Sequence, residues 1–362
     1  MGAASGASRR QQSDTPRKGE KVTVPNVTFG LGLFPTESPR RMVDLARLAE
    51  ELGFACVYLG DSQMIWREAY VILGAAAMAT SHITLATGVT NPVTRDPTVV
   101  AAGMATLHEL MGGRTLLGIG TGDSSVETLG KKPARLAALE QAVETIRGLV
   151  GGQTVPHQDS GADVRLTYAQ PGTRVPVYIA VSSPRIHRLA GKIADGAIVL
   201  VGVDPHFLAA SRQALEAGAA DAGRDLRATG FRVVCWTPCS ILEDGVAARD
   251  AVKAHVARVL KRDLPFELSP EDMTLVRKIR EQYEYYEHMV AGTSHGEIVP
   301  DALVEKFAIA GTPAEARTQI ERLAATGLVD EIALIPHAHH PAARESIIHH
   351  LGDILVQLGA TG

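Results

Sequence analysis

Cysteine is nearly absent from this chain. The three present, Cys56, Cys235 and Cys239, form no CxxC pair and no even framework, which excludes a disulfide scaffold. Cys56 and Cys235 fall in predicted strands, where a buried, inert thiol is the ordinary outcome. No apolar run is long enough to cross a bilayer, and the opening residues lack the apolar stretch of a secretory signal. An excess of one charge is missing too. Lys and Arg number 36 against 40 Asp and Glu, a net charge of −4, so neither nucleic acid nor a membrane surface is an expected partner. There is no P-loop, nucleophile elbow or HExxH helix, which leaves hydrolase and kinase chemistry without support. A soluble cytoplasmic protein is the expectation that remains.

What is present begins with a tail. Residues 1–21 carry five basic and two acidic side chains and almost nothing to bury, the composition of a disordered start. From 22 to 362 the chain has apolar material for one large domain, 45% of the sequence being hydrophobic. Its organising stretch is Leu85 to Ser125, which reads as strand, loop, helix, strand and glycine-rich loop. Asp96-Pro97 offers an N-cap and a first-turn proline. Thr115 to Ile119 is almost wholly apolar, as a strand buried on both faces should be.

The same rhythm recurs. Strands are expected at about 27–33, 55–59, 83–87, 115–119, 177–181, 197–201, 231–240 and 329–335, with amphipathic helical patterns between them. Eight strands alternating with helices specify a TIM-barrel-like (β/α)8 fold. It carries insertions after strands 4 and 7: a small β-excursion at about 151–174, and a helical segment at about 241–310 with patterns near 247–261 and 270–291. A doubly wound sheet could use the same elements, but would place its dinucleotide loop after the first strand.

In a barrel, residues just after each strand gather on one rim. Gly118-Ile-Gly120-Thr121-Gly122 follows strand 4 and fails the dinucleotide fingerprint, since Asp123 and Ser125 stand where glycine is required. It reads either as a tight turn or as a place where a flat ligand lies against the backbone. Ser182-Ser183-Pro184-Arg185 opens a helix after strand 5 and suits an anion as well as it suits ordinary capping. Gly196 and Ala197 lead into strand 6, where a glycine could leave room for a ligand. Asp61, with Ser62, Gln63 and Trp66, follows strand 2 and could move a proton or simply stabilise its loop. His337, His339 and His340 follow strand 8, but no carboxylate or cysteine completes a metal-ligand spacing, so no metal is expected; His337 could line a pocket.

Several of these stretches together resemble the bacterial-luciferase-like flavin and deazaflavin oxidoreductases, most of all the coenzyme F420-dependent branch that includes methylenetetrahydromethanopterin reductase. The segments are Gly60-Asp-Ser-Gln63, Thr87-Gly-Val-Thr-Asn-Pro-Val-Thr-Arg-Asp-Pro97, Glu109-Leu-Met-Gly-Gly-Arg114, Gly118-Ile-Gly-Thr-Gly-Asp123 and Gly311-Thr-Pro313. The resemblance implies an isoalloxazine-type ring at the carboxyl ends of the strands. It also implies a non-prolyl cis peptide on Gly88-Val89 with the bulge against one face of the ring. It places Asn91 and Asp61 near the ring and Asp123 toward the polar end of the pocket. The cofactor's phosphate maps onto Ser182, Ser183 and the segment around Gly196-Ala197. Several deazaflavin relatives carry an acid in strand 1 where this chain has Gly32, so Asp61 or Asp123 would have to carry the proton, or water would protonate the substrate.

The expected activity is hydride transfer between coenzyme F420 and an organic substrate. An FMN-dependent monooxygenase is the rival, and a non-catalytic flavin-binding protein a third reading. Relatives of this kind often form homodimers through barrel helices.

Overall fold

Eight parallel strands close into a barrel, each formed where a short apolar run ends in glycine or a polar turn. The computed structural model describes residues 27–282 and 294–360; the expected tail at 1–21 and the end of the helical pattern at 270–291 lie outside the described residues. In chain order, the first half comprises β1 (Thr28–Leu33), α1 (Pro39–Glu51), β2 (Cys56–Leu59), α2 (Ala69–Ala77), β3 (Thr84–Thr87), α3 (Pro97–Leu110), β4 (Thr115–Ile119), α4 (Ser124–Glu127) and α5 (Leu136–Val150). A two-residue hairpin, β5 (Val155–Pro156) with β6 (Asp163–Val164), forms the excursion after β4. There follow β7 (Val177–Val181), α6 (Pro184–Ile193), β8 (Gly196–Val199), α7 (Pro205–Asp221) and β9 (Arg232–Ile241). The insertion holds α8 (Gly245–Leu260), α9 (Pro270–Gln282), α10 (Ser294–Glu297), α11 (Asp301–Phe307) and β10 (Ile309–Gly311). The chain ends with α12 (Pro313–Ala325), β11 (Glu331–Pro336) and α13 (Pro341–Leu358).

The strand order is β1-β2-β3-β4-β7-β8-β9-β11, and β11 returns to β1 to close the ring. The insertion is not purely helical, as its pattern suggested. Ile309–Gly311 adds a strand, parallel to the outer end of β9 with Ile309 opposite Cys239; three residues ending in a glycine are too short to stand out by periodicity.

Alternation along the strands builds two apolar layers. Val57 and Leu59 face the helices, whereas Cys56, Tyr58, Ala86, Tyr178, Val234, Trp236 and Ala333 fill the barrel interior. Caps start some of the helices where Ser or Asp precedes Pro: Ser38 accepts from the Arg41 amide and Asp96 from the Thr98 amide. Thr312 and Glu315 form a capping box. All three thiols are free and buried. Among the described residues no helix is long and apolar enough to cross a membrane.

One glycine decides how β3 and β4 meet. A Cβ on Gly118 would stand 2.1 Å from the carbonyl oxygen of Thr87, inside any tolerable contact and with backbone on the other side. Gly118→Ala is therefore expected to destabilise the chain by about 4 kcal/mol or more, read as a collapse of Tm or of soluble yield; a near-wild-type melting curve would refute this account of the strand pair.

Candidate active site

At the carboxyl ends of the strands lies a cavity of about 460 Å³. β3 ends at Thr87, and the chain leaves it through a cis peptide between Gly88 and Val89. The bulge is tied to β4: Thr90 donates its amide to Gly118 at 3.0 Å, and Gly120 donates to Thr90 at 2.9 Å. Asn91 then organises the loop, accepting from the amides of Val93 and Thr94 and donating from Nδ2 to Ser125 Oγ at 3.0 Å. The loop after β2 is clamped to that after β4, with Ser62 and Ser124 hydroxyls 3.0 Å apart and Gln63 donating to the Ser125 carbonyl.

Ten of the residues singled out from the sequence line this one cavity: Asp61, Gly88, Val89, Asn91, Gly120, Thr121, Gly122, Asp123, Ser182 and Ser183. Gly196 and Ala197 do not, and this corrects the sequence reading. Gly196 opens β8, at the amino end of the barrel, and a Cβ there would stand 2.7 Å from both the Arg232 carbonyl and the Tyr178 ring. Its smallness serves packing. Ile198 and Leu200, further along, are what that strand sends to the cavity.

The two carboxylates differ in setting. Asp61 is 5% exposed and grips Arg95 in a fork, Nε to Oδ2 at 2.8 Å and Nη2 to Oδ1 at 3.0 Å, while Thr90 Oγ1 donates to Oδ2 at 2.8 Å. Arg95 also pairs with Glu68 and lies over the Tyr70 ring at 4.7 Å. With both its oxygens occupied, Asp61 is built to hold the Thr90 bulge in place. Asp123, just before α4, receives Arg258 Nη2 at 2.7 Å and Arg262 as well. Lys261 lies 3.7 Å from Glu127, and its burial holds the ammonium below the usual lysine range. The insertion thus fastens to the rim by ion pairs while its cations line the cavity.

Ser183 occupies the N-cap position of α6, yet its side chain makes no capping hydrogen bond, and Pro184 takes the first turn. The start of that helix borders the cavity through Ser182, Ser183 and Ile186, and the first amides of a helix suit an anion.

Sequence reasoning missed Phe34, Trp236, Arg95 and the Arg258–Arg262 turn. Phe34 stacks on Trp66 with centroids 4.4 Å apart. His337 is buried but does not line the cavity; its Nε2 lies 2.7 Å from Nδ1 of His255. Burial and the charges of Arg344 and Arg258 push it down to about 3. His339 sits 3.5 Å from Asp250 instead. Among the described residues no group of three or more His, Cys, Asp or Glu side chains is arranged to hold a metal ion.

Residues 11–330 match the family model described as luciferase-like monooxygenase. The chain belongs to that family. Over 319 residues this luciferase-like chain is 29% identical to the 5,10-methylenetetrahydromethanopterin reductase of Methanolobus tindarius, covering 86% of itself and 94% of that protein. Over 202 residues it is 36% identical to the F420-dependent glucose-6-phosphate dehydrogenase of Microbacterium testaceum, covering 51% of itself and 60% of that protein. Among solved structures, the coenzyme F420-dependent tetrahydromethanopterin reductase from Methanopyrus kandleri superposes with a TM-score of 0.73 at 26% identity, covering 91% of this chain and 99% of that one. The luciferase-like chain is an oxidoreductase of this fold.

Proposed function

We propose that this oxidoreductase binds coenzyme F420 in the cavity and transfers hydride between it and an organic substrate. One observation carries the reading: the Gly88-Val89 bulge and the uncapped Ser183 start of α6 open into the same cavity. The residues present fit such a group. Gly120 leaves ordinary contact space beside Val89 and Ala180, and Ser182, Ser183 and the α6 amides match a phosphate. When bound, the deazaflavin supplies the hydride chemistry. The Val89 bulge would bear on one face of its ring, leaving the other to substrate. Asp123, which receives hydrogen bonds from Arg258 and Arg262, would accept a hydrogen bond or proton at the polar end. Asp61 would act through Thr90 and Arg95 as a positioning residue. The relatives named for F420 support this cofactor over FMN.

The same reading takes the protein to be cytoplasmic, where three free thiols persist, and a homo-oligomer. Exposed Val71 on α2 and Met78 just after it, with Val99 and Leu110 on α3, offer apolar surface for a second copy.

The test is a titration of purified protein with coenzyme F420 and, separately, FMN, read by quenching of cofactor fluorescence. Tight F420 with weak FMN binding is expected. The reverse would replace the proposal with a flavin monooxygenase, and binding of neither would sink it. Ser183→Asp should weaken F420 binding by about 100-fold, because a carboxylate would then face the phosphate at the helix start; unchanged affinity would remove α6 from the site.

A further inference from the structure

The chain has two tryptophans, and both line this cavity. Trp66 is stacked on Phe34 near the rim, whereas Trp236, on β9, lies deeper and is 5% exposed. Its indole meets Tyr58 edge-on, centroids 5.8 Å apart and planes at 90°. Tyr58 is itself held from below, its hydroxyl donating to Glu331 at 2.8 Å. Two glycines make room for the far edge of the indole. A Cβ on Gly32, at the end of β1, would stand 2.9 Å from Trp236 Cη2 and 2.7 Å from Ile335 Cγ1. A Cβ on Gly88, in the bulge after β3, would stand 3.1 Å from the same Cη2. The indole is thus wedged across the barrel between β9, β1 and β3. The cavity wall on this side, from β8 round to β1, is apolar: Ile198, Leu200, Trp236 and Phe34.

We propose that Trp236 is a specificity-determining residue: it closes the cavity over Gly32 and Gly88, sets how deep a ligand reaches, and restricts the innermost position to a small uncharged group. The argument is one of volume and solvation. The backbone of Gly32 bears no side chain because the indole fills that space, so nothing from β1 projects there toward a ligand. A charged group pressed against indole, isoleucine and leucine would lose its water without gaining a partner. A substrate whose reacting carbon carries small apolar substituents meets neither obstacle. This inference rests on the reading of the cavity as the cofactor and substrate site.

The test uses the full chain, free of cofactor, with indole and indole-3-carboxylate as probes, followed by calorimetric titration. Trp236→Ala opens an apolar space of indole shape, the kind of void that takes up a matching aromatic molecule. Its affinity for indole should exceed that of the wild type by at least tenfold, with no gain for the carboxylate and an intermediate result for Trp236→Phe. A second arm does not depend on Trp236→Ala folding. Gly32→Ala should lower Tm, and Gly32→Ala combined with Trp236→Phe should regain part of the loss, the contact with Ile335 Cγ1 remaining. No gain for indole, an equal gain for the carboxylate, or a Gly32→Ala defect that Trp236→Phe leaves untouched would each overturn the proposal. The F420 and FMN titrations stand apart from these arms. A wild-type chain that binds neither cofactor would remove the functional reading, whereas the indole and Gly32 results decide the role of Trp236.

Discussion

Arg95→Ala should cost about 3–5 kcal/mol of stability and weaken cofactor binding by about two orders of magnitude. Its partner Asp61 is 5% exposed, and two of the three hydrogen bonds that Asp61 accepts among the described residues come from the Arg95 fork. Deleting the guanidinium strands a carboxylate in a site that water reaches poorly, and the loss is the desolvation of that charge more than the attraction itself. Arg95 also fills the space over Tyr70 and pairs with Glu68, which caps α2 by accepting from the Val71 amide at 2.7 Å. The consequence reaches the cavity through Thr90, whose hydroxyl holds Asp61 and whose backbone ties the cis bulge to Gly118 and Gly120. Removing the charge on both sides separates the two effects. Asp61→Asn with Arg95→Ala should recover a large part of the stability, because no ion is left buried, while cofactor affinity stays low. Denaturant unfolding and cofactor titration of the two single variants and the double variant give the answer. If Arg95→Ala unfolds like the wild type, the fork is not what holds the loop.

That pair also shows why part of the site was legible and part was not. The barrel could be read because its signals are local: Ser38-Pro39, Asp96-Pro97 and Thr312-Pro313 start helices, and Thr115–Ile119 is apolar throughout because both faces are buried. The rim loops followed from the strand ends. The cis peptide at Gly88-Val89 has no local sequence signature and was reachable through family resemblance alone. Partnerships across the fold had no signal either. Arg95 lies 34 positions from Asp61, Arg258 135 positions from Asp123, and His255 82 positions from His337. Gly196 was misplaced for a related reason. A glycine at a helix–strand joint looks the same whether its missing side chain makes room for a ligand or for Tyr178, and only the register of β8 says that it opens the strand at the far end of the barrel.

Acid should weaken this protein well before its carboxylates are protonated. His187, fully buried on α6, is pushed down to about 4 mainly by burial, and His337 to about 3. Both imidazoles are therefore neutral in the native state at pH values where the unfolded chain, with an ordinary histidine near 6.5, takes up protons. The unfolded state then binds more protons than the folded one, so stability is complete above about pH 6.5 and falls as the pH drops toward those lowered values. Each unit between the two conditions is worth about 1.4 kcal/mol per histidine. At pH 5 the pair should have cost about 4 kcal/mol, and His187 by itself reaches about 3 kcal/mol near pH 4. Glu331 acts in the opposite sense. Burial raises its carboxyl above the usual range, so it favours the native state toward acid and partly offsets the histidines. Denaturant midpoints at pH 7.5, 6, 5 and 4 for wild type, His187→Gln and His337→Gln measure the slope directly. Each variant lacks one titrating imidazole and should lose about half of the fall between pH 6.5 and 5, whatever its stability at pH 7.5. Parallel curves for all three proteins would mean that these buried rings do not carry the acid response.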